Sequence, residues 1–258
     1  MTVERVKTGI EGLDEMLGGG FLPHTANLVE GAPGTGKTTL GMQFIYNGIT
    51  LFDELGLIIT FEEFPQQYYL DAASFGWDFA RLEKEGKLKV IMTSPEVTRA
   101  DLENVGGFIE TYIADMGIRR VLVDSVTHFE RLTQNPTKLR ALEYGFINAL
   151  KREGLTSLLT KESPALLGES PEGDSEIAFV VDSYSILRYV EIDSAISKAA
   201  LILKMRGSNH AKDIREYEIA PQTGIRLKSK FEGQEGILSG NPRRSMADAF
   251  DEAFLKSR

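Results

Sequence analysis

Nine consecutive residues carry the strongest chemical signal in this sequence. Gly31-Ala32-Pro33-Gly34-Thr35-Gly36-Lys37-Thr38-Thr39 follows the pattern G-x-x-x-x-G-K-T. Gly34 and Gly36 let the backbone curl so that successive N–H groups point inward at phosphate oxygens. Lys37 adds a mobile positive charge for the β- and γ-phosphates, and the Thr38 hydroxyl is placed to hold Mg²⁺. A short apolar run, Ala26 to Val29, precedes the loop, and Leu40, Phe44, Ile45 and Ile49 follow it as one face of a helix. Strand, glycine loop and helix are the setting such a loop requires, and the helix N-terminus adds its own pull on anions.

Three further places could do chemistry beside a phosphate. Arg119 to Ser125 is an apolar strand that closes on Asp124, the form of an element whose carboxylate holds Mg²⁺ directly or through water. Such a run is common alone; its distance from the phosphate loop and the strand–helix rhythm between them give it meaning. Leu57 to Phe61 is a short buried strand that ends in Glu62-Glu63. Two adjacent carboxylates there could orient an attacking water, although by residue type alone a solvated acidic turn is the simpler reading. Ala199 to Arg206 reads as a strand with Leu201, Leu203 and Met205 on one face and Ile202, Lys204 and Arg206 on the other. Two cations at the end of a buried strand, followed by Gly207-Ser208-Asn209-His210, need an anionic partner or else form a solvated strand end.

The elements that must position these groups follow from apolar spacing. Leu102, Val105, Ile109, Tyr112, Ile113 and Met116 predict a helix ending near Gly117. A second runs from Thr137 or Lys138 to Glu153, and Thr156 to Thr160 is a strand leading to Lys161-Glu162. Tyr184 to Val190 is another strand, and Arg215–Ile219 with Gly224–Leu227 suggest a closing hairpin. Gly233 to Arg244 reads as a linker, after which Met246, Ala249, Phe250, Ala253 and Phe254 give a short amphipathic helix for its own domain or for a protein partner.

Composition narrows the class. The chain has 258 residues, 42% hydrophobic, enough for one large α/β domain. No apolar run is long enough for a membrane span, and the charged start of the chain is not a signal-peptide pattern. There are no cysteines, so disulfides, thiolate metal sites and cysteine nucleophiles are excluded. His24, His128 and His210 form no metal-ligand spacing. A soluble, cytoplasmic protein is expected. The net charge of −9 disfavours nucleic acid as a partner.

Several separated segments resemble, in order, the RecA-type ATPases, in the branch that holds KaiC and RadA. Thr8 to Gly20 reads T-G-I-x-G-L-D-x-x-L-G-G-G ahead of the phosphate loop; Thr60-Phe61-Glu62-Glu63-Phe64-Pro65-Gln66 is similar to the T-F-E-E-x-P-Q of KaiC. Ser74 to Asp78 matches S-F-G-W-D, Glu85 to Leu88 matches E-G-K-L, and Asp124 to Thr127 matches D-S-V-T. Lys204-Met205-Arg206-Gly207-Ser208-Asn209-His210 resembles K-L-R-G-T-S-H, with mild departures at Ser208 and Asn209.

The resemblance implies a mostly parallel sheet with helices on both faces and antiparallel strands at one edge. It implies ATP and Mg²⁺ as ligands, held by Gly34, Thr35, Gly36, Lys37, Thr38 and Thr39, with Thr38 and Asp124 at the metal. It implies that Glu62 and Glu63 activate water, that Ser74 lies near the nucleotide, and that Lys204, Arg206 and His210 reach the γ-phosphate of a neighbouring subunit in a ring, expected to be of six. The implied catalytic set is Glu62, Glu63, Lys37, Lys204 and Arg206. Trp77 reads as core or interface packing. Residues 1–230 would form the ATPase domain and residues 231–258 the linker and short helix.

KaiC carries two such domains in tandem and this sequence one, so kinase activity and a circadian role are not carried over. In RecA and RadA the loop at Ser163–Glu176 contacts DNA. Here it carries Glu169, Glu172, Asp174 and Glu176 with no Lys or Arg, which would repel a phosphate backbone. Three readings follow: a ring-forming ATPase, preferred; a DNA-processing recombinase relative; and a slow nucleotide-dependent regulator that signals through a protein partner.

Overall fold

The computed structural model describes residues 4–103, 107–164, 176–192, 194–231, 234–237 and 243–244. A nine-stranded sheet with the order β3-β2-β4-β5-β1-β6-β7-β8-β9 forms its centre. The strands are β1 (Ala26–Gly31), β2 (Gly56–Thr60), β3 (Leu88–Met92), β4 (Arg120–Asp124), β5 (Thr156–Glu162), β6 (Ser183–Ile192), β7 (Ala195–Met205), β8 (Arg215–Ala220) and β9 (Gly224–Lys230). Pairing from β3 across to β6 is parallel; from β6 to β9 it is antiparallel. This is the expected RecA-type architecture, antiparallel edge included.

The central strands are buried on both faces, which is why they read as continuous apolar runs. Leu57, Ile59, Val121, Val123 and Leu159 turn one way, onto Phe146, Ile147 and Leu150 of α7 (Pro136–Arg152). Ile58, Leu122 and Leu158 turn the other way, onto Phe44, Ile45 and Ile49 of α2 (Lys37–Phe52). A short α1 (Leu13–Met16) joins the α2 side, with Leu13, Met16 and Leu17 buried there. Helices α3 (Pro65–Ser74) and α4 (Phe79–Lys84) connect β2 to β3. Trp77 packs between them, 4% exposed and stacked on Phe75 at 4.8 Å and Tyr46 at 5.5 Å. Among the described residues no helix is long and apolar enough to cross a membrane.

Three expectations change. The helix expected from Leu102 to Met116 is two, α5 (Pro95–Glu103) and α6 (Phe108–Met116). The Asp101 carboxylate accepts the N–H groups of Phe108 at 2.8 Å and Ile109 at 2.6 Å, capping α6 from the end of α5. A Cβ at Gly107 would lie 2.2 Å from the Asp101 carbonyl oxygen, so only glycine fits this close approach. The regular alternation expected in β7 is broken by a bulge. Tyr184 pairs with Lys204 but Ser185 pairs with Ile202, which leaves Leu203 unpaired and 52% exposed while Ile202 and Met205 share one core. Part of the expected linker is paired: Gln234–Glu235 (β10) and Arg243–Arg244 (β11) form a short antiparallel ladder. A short α8 (Glu176–Val180) precedes β6. The acidic loop expected at Ser163–Glu176 lies mostly outside the described residues, and the amphipathic helix expected from Met246 to Phe254 lies outside them.

Candidate active site

Strand β1 delivers the phosphate loop and α2 continues from it. Gly34 and Gly36 adopt φ of 77° and 97°, the left-handed region that lets the loop close around a ligand. A Cβ at Gly34 would also meet the Tyr189 hydroxyl at 2.6 Å. Thr35 is buried, its hydroxyl donating to the Ala32 carbonyl at 2.8 Å while the Tyr217 hydroxyl donates to its carbonyl. Thr35 therefore shapes the loop from within, through its side chain. Lys37 is also buried and donates to the Ala32 carbonyl at 3.0 Å. Burial pushes its ammonium below the usual lysine range, and Glu162 and Asp124 pull it back up.

A polar cavity of about 200 Å³ opens beside the loop. Pro33, Gly34, Lys37 and Thr38 form one wall; Thr60, Glu62, Glu63 and Tyr68 form another; Asp124, Ser125 and Glu162 close it. The sheet order explains the gathering. Strands β2, β4, β5 and β1 are neighbours and all end at this side. The parallel arrangement therefore converges Glu62–Glu63, Asp124, Glu162 and the phosphate loop, the usual place for a site in such a sheet.

Asp124 is held on both sides. The Tyr68 hydroxyl donates to Oδ2 at 2.7 Å and the Thr160 hydroxyl donates to Oδ1. Burial first, then the facing Asp124 carboxylate, raise the Tyr68 phenol far above its ordinary range. Glu63 is raised too, by partial burial and then by Asp71, Asp124 and Glu62. Glu62 extends into solvent with its carboxylate 3.4 Å from Nε2 of the buried His128. His128 stands in the short 3-10 turn Val126–Arg131 that follows β4. Four carboxylates thus face one lysine. The oxygen donors Thr38 and Asp124 suit a hard divalent cation, and the acidic excess gives such a cation a reason to bind.

The remaining expected residues stand elsewhere. Ser74 ends α3, exposed, its hydroxyl donating to the Asp71 carbonyl at 2.6 Å. It does not line the cavity. Gly36 and Thr39 open α2 behind the lining residues. Lys204, Arg206 and His210 lie at the opposite end of the sheet from their own phosphate loop. Asn27 pairs with Ser183 and Ser183 with Met205, so the end of β7 is level with the start of β1. The Arg206 N–H accordingly reaches the Asp182 carbonyl, and the Asp182 N–H reaches Ala26, the first residue of β1. About 13 Å of strand separates Asn27 from Gly31, before the loop begins. Lys204 donates to the carbonyls of Ala178 and Val181, both at 2.8 Å, and Arg206 donates to that of Phe179 at 2.5 Å, so the two cations cap α8. Burial and the neighbouring Arg206 lower the Lys204 ammonium below its usual range. His210 is buried, with Nε2 2.8 Å from the Lys212 ammonium.

The family model described as "ATPase: KaiC" matches residues 6–232. The chain belongs to the KaiC family. It is 38% identical over 238 residues to "Circadian clock protein KaiC3" of Synechocystis sp., covering 92% of this chain and 46% of that protein. It is 37% identical over 244 residues to "Circadian clock oscillator protein KaiC" of Thermostichus vulcanus, covering 95% of this chain and 46% of that one. With the KaiC protein of Synechococcus elongatus the identity is 36% over 248 residues, with 96% and 47% covered. The chain therefore spans about half the length of these KaiC relatives. It is a KaiC-like ATPase domain of the RecA type.

Residue-by-residue reading missed Tyr68, Thr160, Glu162 and His128. Glu162 had a signal available only once strand order is known: it pairs in register with Gly31, the first residue of the phosphate loop.

Proposed function

We propose that this KaiC-family chain binds and hydrolyses ATP with Mg²⁺ at sites shared between copies of itself, in a closed ring, most simply of six. The observation that carries the reading is the division of charge. The cavity holds Glu62, Glu63, Asp124 and Glu162 against Lys37 alone, a poor balance for a triphosphate. The compensating cations, Lys204 and Arg206, cap α8 at the far end of the same sheet, out of reach of their own loop. A head-to-tail contact would bring one copy's cations to the next copy's loop, and such a contact forms a ring where its rotation closes.

Lys37 and the loop N–H groups hold the β- and γ-phosphates. Thr38 and Asp124 hold Mg²⁺, which when bound neutralises charge on the phosphate oxygens. Glu62 and Glu63 position water or accept its proton. Lys204 and Arg206 of the adjoining copy stabilise the charge that spreads over the γ-phosphoryl group, with His210 of that copy and Ser74 of the first nearer the periphery. Residues 1–230 act as the ATPase domain and 231–258 as an appended segment, a candidate contact for a protein partner. DNA is not the expected partner.

Mixing subunits tests the shared site. A Lys37→Ala chain has a dead loop and sound cations; an Arg206→Ala chain has the reverse. Each alone should be inactive. Mixed, they should regain hydrolysis from sites built of the two sound halves. Active parent chains together with mixtures no better than either variant would end the shared-site reading.

A further inference from the structure

We propose that Tyr68 is a positioning residue for the cation site, acting with Thr160 to fix the Asp124 carboxylate and to tie it to the turn that carries Glu62 and Glu63. The inference rests on the Mg²⁺-dependent reading above. Tyr68 is 2% exposed although its hydroxyl points at the site. That hydroxyl donates to Asp124 Oδ2 at 2.7 Å, while Thr160, fully buried, donates to Oδ1. A carboxylate has roughly four lone-pair positions. One hydroxyl on each oxygen stops the group from rotating and leaves the other positions for a cation or its water.

The arrangement also reaches the glutamates. Tyr68 stands on α3, which begins at Pro65 directly after their turn, and the Phe61 N–H at the head of that turn donates to the Asp124 carbonyl at 3.1 Å. Thr60 Oγ1, at the end of β2, accepts the Glu63 N–H at 3.1 Å and donates to the Glu63 carbonyl at 3.2 Å. Thr160 and Tyr68 on the Asp124 carboxylate and Thr60 on the glutamate turn thus hold the ends of β5, β4 and β2 in one arrangement. It fixes the carboxylate that would hold the cation relative to the pair that would activate water. Phenylalanine at position 68 would fill the same space and supply no hydrogen bond to Asp124.

The test follows binding of a fluorescent ATP analogue to the full chain, against Mg²⁺ concentration and separately in EDTA. For Tyr68→Phe the Mg²⁺ midpoint should rise by roughly tenfold, the usual cost of losing a partner that orients a metal ligand. Binding in EDTA should stay at the parent value. Thr160→Val should behave the same way, and supplies the comparison if Tyr68→Phe does not fold. A Mg²⁺-dependent parent whose variants keep its midpoint overturns this proposal alone, as does an equal loss of binding in EDTA. A parent that binds the analogue equally with and without Mg²⁺ overturns the reading beneath it as well.

Discussion

Removing Glu54 should destabilise the fold by stranding a charge, without touching the phosphate loop. Arg120 opens β4 and is 1% exposed. Its Nε and Nη2 both lie 2.5 Å from Oε2 of Glu54, and Nη1 donates to the Phe44 carbonyl at 3.1 Å. The guanidinium sits 4.6 Å from the ring centre of Phe44 and 5.2 Å from that of Phe52, both on α2. Glu54→Ala leaves this buried cation with one carbonyl and two ring faces. Breaking a buried pair from one side costs several kcal/mol. Here the Glu54 side chain is 31% exposed and water can replace part of it, so about 3 kcal/mol is expected. For a chain of this size that lowers the melting midpoint by roughly 6–12 °C. ATP-analogue binding at low temperature should survive, because the pair clamps the far half of α2 to the start of β4. The Arg120→Met/Glu54→Gln double variant removes the charge along with its partner, so it should melt above Glu54→Ala. Thermal melts of the three chains decide the matter. A Glu54→Ala midpoint within about 2 °C of the parent, or a double variant below the single one, would refute the argument that an unpaired cation is what costs stability.

Three other outcomes are expected. The Glu62→Gln/Glu63→Gln double variant should bind Mg²⁺–ATP normally and hydrolyse it slower by roughly 10²–10⁴-fold in single-turnover assays; near-parental turnover would remove the pair from the mechanism. Glu63 is held above the usual carboxylate range by burial and by Asp71, Asp124 and Glu62, so the folded chain keeps its proton to higher pH than the unfolded chain does. This group therefore favours the fold at low pH and loses that contribution as pH rises through its folded pKa, while the hydrolysis rate climbs over the same window; the acid limb should vanish in Glu63→Gln. Hydrogen exchange across α8 should speed up on adding Mg²⁺–ATP, since Lys204 and Arg206 must leave its carbonyls to reach a neighbour; unchanged protection there would mean that the cations stay where they are.

What the sequence made legible is what is contiguous in it. The phosphate loop, Asp124 and Glu62–Glu63 each close a strand and announce themselves by residue type at that position. Tyr68, Thr160 and Glu162 could not be found this way, because their relevance comes from order in space. β5 lies between β4 and β1, which sets Thr160 against Asp124 and Glu162 against the loop. The bulge at Leu203 was hidden for a related reason. One extra residue leaves apolar and polar positions still alternating on paper while the pleat reverses. The break between α5 and α6 depends on Asp101 reaching forward to cap Phe108 and Ile109, a contact that apolar spacing does not encode.

The separation of Lys204 and Arg206 from the loop has a physical logic. A cradle that carried its own balancing cations would be complete within one copy, and assembly would add nothing to hydrolysis. Here the cradle is left with an acidic excess, and the cations rest on the carbonyl dipoles of a five-residue helix. A carbonyl end is a fractional charge, whereas a γ-phosphate is a full one. On the proposed shared-site reading, transfer to a neighbour's nucleotide would exchange a weaker electrostatic partner for a stronger one, at the cost of uncapping α8. On this reading occupancy of one cradle is felt at the start of β6 in the adjoining copy, because α8 and Asp182 lead directly into that strand, and β6 pairs with the β1 that carries the second cradle.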